Sequence, residues 1–172
     1  DEVEVVNYSA GTHKGLTAKV QVLNMDASVA WEKEATVDSN EDTTDKCIKL
    51  AFPANLSKVH FIKMTLTEDG KVVSDNFYHR SLEENNYQDL RQLAKVALQS
   101  TTTVDKNADG TWSVVSVIEN KTSTPALMIR LNVVDGKDDQ QILPVFYSDN
   151  YFSLLPGEKK EVRMSWRDED TR

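Results

Sequence analysis

Ile62-Lys63-Met64-Thr65-Leu66-Thr67-Glu68-Asp69-Gly70-Lys71-Val72-Val73 is the stretch that decides the fold. Ile62, Met64 and Leu66 alternate with Lys63 and Thr65, and Glu68-Asp69-Gly70-Lys71 then separates this run from a second one. Side chains along a strand point alternately to opposite faces, so this pattern gives one apolar and one polar face. Asp-Gly is a strong hairpin signal, because the favoured two-residue turn needs positive φ at both positions. The same alternation recurs outward along the chain. Leu16, Ala18, Val20 and Val22 alternate with Thr17, Lys19 and Gln21; Ile48, Leu50 and Phe52 alternate with Lys49 and Ala51. Leu127, Ile129, Leu131 and Val133 alternate with Met128, Arg130 and Asn132; Val162, Met164 and Trp166 alternate with Arg163 and Ser165. Asp109-Gly110, Asp135-Gly136 and Pro156-Gly157 mark further turns. The expectation is an all-β protein of antiparallel strands. Helical spacing is weak, and only Tyr87, Leu90, Leu93 and Ala94 suggest a turn or two.

The 172 residues suffice for one large domain or two small ones. Ser81-Leu82-Glu83-Glu84-Asn85-Asn86 is polar and breaks the alternation, which resumes near Val96. A junction near residues 83–92 gives two domains, 1–84 and 85–172, each the size of a small seven-stranded sandwich. Ser74-Asp75-Asn76-Phe77-Tyr78 is echoed by Ser148-Asp149-Asn150-Tyr151-Phe152, late in each half, as two related sandwiches would show.

Composition excludes several function classes. Formal net charge is −8; residues 1–84 hold fifteen acids against nine bases, and residues 85–172 thirteen against eleven. A nucleic-acid binder needs a basic face, and an acidic surface repels polyanions and anionic membranes. No apolar run approaches the roughly 20 residues of a membrane helix. The chain opens on Asp1 with no leader-like segment, so it is expected to be a processed protein or a piece of a longer one. The single cysteine, Cys47, can form neither an internal disulfide nor a paired-cysteine zinc site. It reads as a small, partly buried side chain.

Motifs for chemistry are thin. His13, His60 and His79 are the only histidines; none has metal-ligand spacing, and no nucleophile elbow occurs. Asp105-Lys106-Asn107-Ala108-Asp109-Gly110 opens like a calcium loop, but the twelfth position, which needs a bidentate glutamate, is Ser116. A hairpin turn is the expectation there. No glycine-rich phosphate loop is present, and no metal or cofactor is expected. Asn7-Tyr8-Ser9, Asn55-Leu56-Ser57 and Asn120-Lys121-Thr122 match the N-glycosylation sequon. Phe146, Tyr147, Tyr151 and Phe152 form an aromatic cluster suited to packing, an interface or a sugar contact. Alternation puts Phe146 and Tyr147 on opposite faces, so the cluster cannot all be core.

Ile142-Leu143-Pro144-Val145-Phe146-Tyr147-Ser148-Asp149-Asn150-Tyr151-Phe152-Ser153-Leu154-Leu155-Pro156-Gly157-Glu158 closely resembles a segment of the C-terminal Ig-like domain of family 2 glycoside hydrolases, of the exo-β-glucosaminidase and β-mannosidase types. Gly70 to Tyr78 resembles the end of the preceding Ig-like domain, and Ser123 to Leu131 also fits. The resemblance implies two tandem immunoglobulin-like β-sandwiches, mannosidase Ig-like over 1–84 and C-terminal glycosidase Ig-like over 85–172. The family's catalytic glutamates lie in a (β/α)₈ barrel of roughly 250 residues, for which this chain has no room. No catalytic residue is carried over.

The expected function is therefore a non-catalytic accessory region of a β-glycosidase that packs against the catalytic barrel. Tyr147, Asp149, Asn150 and Tyr151 are the candidate docking surface or sugar contact. The alternative is a stand-alone carbohydrate-binding module; a cell-surface adhesion domain fits a tandem sandwich but not the late motif. The resemblance also implies a periplasmic or secreted setting. Because the family pattern continues past Asp168-Glu169-Asp170 into another apolar strand, the second sandwich is expected to lack its last strand or to borrow one. An open strand edge invites association with another copy.

Overall fold

A computed structural model describes residues 1–170. The chain divides into two compact units, Asp1–Leu93 and Ala94–Arg172. The first contains β1 (Glu2–Asn7), β2 (His13–Asn24), β3 (Val29–Ser39), β4 (Thr43–Lys49), β5 (Val59–Glu68) and β6 (Lys71–Ser81). A four-stranded antiparallel sheet runs in the order β3-β2-β5-β6, and β1 pairs with β4 in a second, two-stranded sheet. Leu16, Ala18 and Val20 of β2 and Ile62 of β5 pack with Val3 and Val5 of β1 and Ile48 of β4. Leu16, Ala18, Val20, Ile48 and Ile62 are apolar positions of the alternating runs, and a fully buried Leu, Val or Ile contributes about 1.5–3 kcal/mol.

The alternation fails at one end of β5. Val59, His60, Phe61 and Ile62 are all buried, so both faces of the strand are covered there. Phe61 and Leu23 lie on the face that alternation assigned to solvent, and Phe61 contacts the rings of Phe77 and His79 at 5.3 and 5.5 Å. The β5–β6 hairpin turns on Asp69 and Gly70, with φ of 49° and 76°. Positive φ at both central positions matches the right-handed twist of the strands, which is why Asp-Gly serves here. The register then shifts by one residue, Leu66 facing Ser74 but Thr67 facing Val72, which leaves Val73 as a bulge.

The second unit contains β7 (Gln99–Lys106), β8 (Thr111–Glu119), β9 (Ala126–Ile129), β10 (Phe146–Tyr147), β11 (Phe152–Leu154) and β12 (Lys159–Arg167). One sheet has the order β10-β12-β8-β7; the other pairs β11 with β9. Val114, Ile118, Val162 and Met164 from the first pack against Ala126, Ile129, Phe152 and Leu154 from the second. Asp105–Gly110 lies at the β7–β8 hairpin: Lys106 faces Trp112, and Asn107 N–H donates to Thr111 O at 2.8 Å. Among the described residues, two strands face the four-stranded sheet, and Val104 on β7 remains exposed. The stretch with weak helical spacing forms a 3₁₀ turn over Gln88–Gln92.

The two halves of the sequence echo do not correspond. Ser74–Tyr78 lies within β6, whereas Ser148–Asn150 makes the connection from β10 to β11. The echo is thus five residues of shared composition on unlike backbone.

Ile62 is buried in the first core at the centre of its sheet. We expect Ile62→Ala to lower unfolding stability by about 2–5 kcal/mol, the range for a truncated core aliphatic. A shifted urea midpoint with unchanged slope is the readout.

Candidate functional site

The late motif is built around the end of a ladder. Phe146 faces Ser165 and Tyr147 faces Met164. Strand alternation then turns Phe146 outward, where it is 69% exposed, and turns Tyr147 onto the second core. Ser148 closes the ladder: its N–H donates to Arg163 O at 2.8 Å, and its Oγ accepts from Arg163 N–H at 2.9 Å. The Asp149 carboxylate accepts from Asn150 N–H and pairs with Lys160, whose ammonium lies 5.3 Å over the Phe152 ring. Asn150 acts as a substitute strand. Its Oδ1 accepts from Leu131 N–H at 2.8 Å, and its Nδ2 donates to Leu131 O at 3.0 Å.

Tyr151 follows in the left-handed region, φ 60°. It is 54% exposed, with the Arg130 guanidinium 5.9 Å from its ring. A cation over an aromatic face is a favourable contact. Of the four candidate residues, the structure therefore turns Tyr151 to solvent, while Tyr147 packs inward and Asp149 and Asn150 hold backbone and lysine partners.

A second constellation was not legible in the sequence. Ser9 Oγ lies 2.8 Å from His13 Nε2, and His13 Nδ1 lies 2.8 Å from Glu68 Oε1. Antiparallel pairing of Thr17 with Thr67 brings the start of β2 beside the end of β5 and so joins residues 55 positions apart. The order is that of a serine nucleophile, base and acid. The hydroxyl is committed elsewhere, however: Ser9 Oγ donates to Asn7 Oδ1 at 2.7 Å, an atom that can only accept. The hydroxyl proton is therefore given to Asn7 and is not held for transfer to the imidazole. The chain of contacts ties the β1–β2 loop to β5.

The other titratable candidates are quiet. The Cys47 thiol donates to Val3 O at 3.4 Å, and burial pushes its pKa up, away from the reactive thiolate. Elsewhere in the second unit, Asp168 accepts from Trp112 Nε1 at 2.5 Å and Lys106 Nζ at 2.6 Å, while Trp112 stacks on Trp166 at 5.8 Å. Bonding to Lys106 and then to Trp112 holds the Asp168 carboxyl below the ordinary carboxylate range. Among the described residues, no three His, Cys, Asp or Glu side chains are grouped to hold a metal ion.

The pattern of the exo-β-D-glucosaminidase Ig-fold domain matches residues 76–172. The chain belongs to this family. The pattern of the mannosidase Ig/CBM-like domain matches residues 2–81, and the two matches meet within β6. An exo-β-D-glucosaminidase of Streptomyces avermitilis is 30% identical over 192 residues, covering 98% of this chain and 21% of that protein. One from Arthroderma benhamiae is 27% identical over 180 residues, covering 95% and 20%. In the crystal structure of the Amycolatopsis orientalis exo-chitosanase CsxA, 22% of that chain superposes on 98% of this one, with a TM-score of 0.89 and 26% identity. The chain thus spans about a fifth of the length of the curated relatives it matches. The resemblance drawn from the late motif holds across both units, and no described helix is long and apolar enough to cross a membrane.

The Ig-fold unit owes its shape to Asn120. That side chain is 0% exposed, donates to Thr124 O at 2.9 Å and Leu154 O at 3.0 Å, and accepts from Thr122 N–H and Oγ. Asn120→Ala removes the donor to the buried Leu154 carbonyl and leaves Thr124 O with the Thr122 Oγ contact alone. A loss of about 1–3 kcal/mol, the cost of one unsatisfied buried group, is expected by chemical denaturation.

A buried histidine, His60, and a half-buried one, His79, give the first unit a pH dependence. Burial holds His60, which is edge-on to Phe52, below the ordinary imidazole pKa; burial does the same to His79, packed between Phe61 and Phe77. Unfolded histidines titrate near 6.5, at about their ordinary value. The unfolded chain therefore binds more protons just below pH 6.5. Stability is full above that pH and falls as pH drops toward the lowered folded values. Thermal melts from pH 7 to 5 should show this loss, and it should flatten in the His60→Asn, His79→Asn double variant.

Proposed function

We propose that this chain is a non-catalytic accessory region of a family 2 β-glycosidase, an exo-β-D-glucosaminidase, whose sandwiches brace a catalytic (β/α)₈ barrel. The supporting observation is the superposition of 98% of the chain on one fifth of CsxA. The internal chemistry agrees with it: the polar side chains of the late motif satisfy backbone and lysine partners and do not converge on a cleft. In this reading Tyr151, with Arg130 over its ring, is the contact offered to the barrel, and Tyr147, Asp149 and Asn150 hold it in place. The domain limits are 1–84 and 85–172, the setting is periplasmic or secreted, and any self-association runs through open strand edges.

The exposure of Tyr151 also favours a second reading, a stand-alone carbohydrate-binding module. Exposed aromatic rings beside polar groups mark recognition surfaces of either kind.

Two measurements separate the readings. This chain is exchanged for the matching fifth of the Amycolatopsis enzyme, and hydrolysis of PNP-β-D-glucosamine is compared with that of a deletion of the same fifth. We expect the exchange to restore folding and turnover, and the isolated chain to show none. An exchange no better than the deletion overturns the bracing role. Isothermal titration of the chain with β-linked glucosamine oligosaccharides should give only heats of dilution. Binding that disappears in Tyr151→Ala would establish the module instead.

A further inference from the structure

The three sequons have different fates in the folded protein. N-glycosylation replaces one hydrogen on Asn Nδ2 with a sugar and needs open space around that atom. Asn7 is 6% exposed, and its Nδ2 donates to Gly11 O at 3.1 Å and Ser39 O at 3.3 Å. Asn120 is fully buried, and its Nδ2 donates to Thr124 O and Leu154 O. Both amide hydrogens are in use at each site. In both sequons the third residue, Ser9 or Thr122, folds back to donate its N–H and Oγ to the asparagine Oδ1. Sequon geometry there is a local turn closed on itself.

Asn55 is different. It is exposed and lies in the turn closed by the Leu56 N–H to Pro53 O bond of 3.1 Å. The anchor of this loop is the third residue of the sequon: Ser57 Oγ donates to Val59 O at 2.6 Å and accepts from Met25 N–H at 2.9 Å, while Ser57 N–H donates to Asn24 Oδ1 at 2.9 Å. The loop therefore keeps its shape without the Asn55 side chain. Phe52, half-exposed just before the turn, offers an apolar ring beside the site.

We propose that Asn55 is a modification site, the one sequon of this chain able to carry an N-linked glycan in the native state. The donor is a polyprenyl-diphosphate-linked oligosaccharide. Asn55 Nδ2 attacks the anomeric carbon, the C–N bond forms as the bond from that carbon to the diphosphate oxygen breaks, the diphosphate leaves, and a base of the transferase takes the amide proton. Transfer precedes folding, when the Ser57 hydroxyl is still free. Folding then commits Ser57 to its loop and leaves the sugar in solvent. A glycan on Asn7 or Asn120 would block the closure of its own unit.

The test is secretion of the full 172-residue chain from a glycosylating yeast, followed by intact mass before and after peptide-N-glycosidase F. Tryptic mapping in parallel locates the Asn-to-Asp conversion that this enzyme leaves behind. The expected result is a single glycan at residue 55 in the folded monomeric fraction, absent from Asn55→Gln. Folded monomer with a glycan at residue 7 or 120, or with none at residue 55, overturns the proposal. Mapping of the unsubstituted chain decides the matter even if the variant secretes poorly.

Discussion

Each unit depends on an asparagine at the end of a strand. Where β1 and β8 leave their ladders, the chain must turn, and buried carbonyls on neighbouring segments need donors. Asn7 and Asn120 supply those donors, reaching Ser39 O in one unit and Leu154 O in the other. The same side chains accept from the residue two positions on, which fixes the turn. A buried carbonyl without a partner costs more than an ordinary hydrogen bond contributes, so these amides are conditions for closing the sandwiches. Asn150 repeats the device beside Leu131, where β9 runs out of strand partner.

Much of the fold was legible because alternation is a direct consequence of strand geometry. Leu16 to Val22 and Val162 to Trp166 became strands with the expected faces buried, and Asp69-Gly70 became the hairpin. Alternation could not reveal that Phe61 and Leu23 are buried on the opposite face, since a second cover is a tertiary fact. Turn chemistry was also misdirecting. Asn-x-Ser/Thr reads as a modification signal, yet at Asn7 and Asn120 it is the signature of a side chain folding onto its own backbone.

The candidate site was legible as a motif but not as a set of roles. The late motif and its family resemblance singled out Tyr147, Asp149, Asn150 and Tyr151 together. One residue decides their separation: the left-handed backbone at Tyr151 re-aims the chain between a residue that mimics a strand and one that re-enters the core. Ser9, His13 and Glu68 show the reverse case, a familiar catalytic order with nothing in the sequence to announce it. Register alone brings them together, and the donor count at Ser9 assigns them a tethering task. A serine beside an imidazole becomes a nucleophile only when its proton is not already spoken for.

The sealing of Asn120 bears on chemical ageing. Asparagine side chains hydrolyse slowly to carboxylates, and at an exposed loop the change is small. At Asn120 it would replace an amide donor with an anion aimed at Thr124 O and Leu154 O, in a place solvent does not reach. An uncompensated buried charge of that kind is not tolerated by a marginally stable fold. The closed turn at Asn120 therefore also shields from water an amide whose hydrolysis the Ig-fold unit could not absorb.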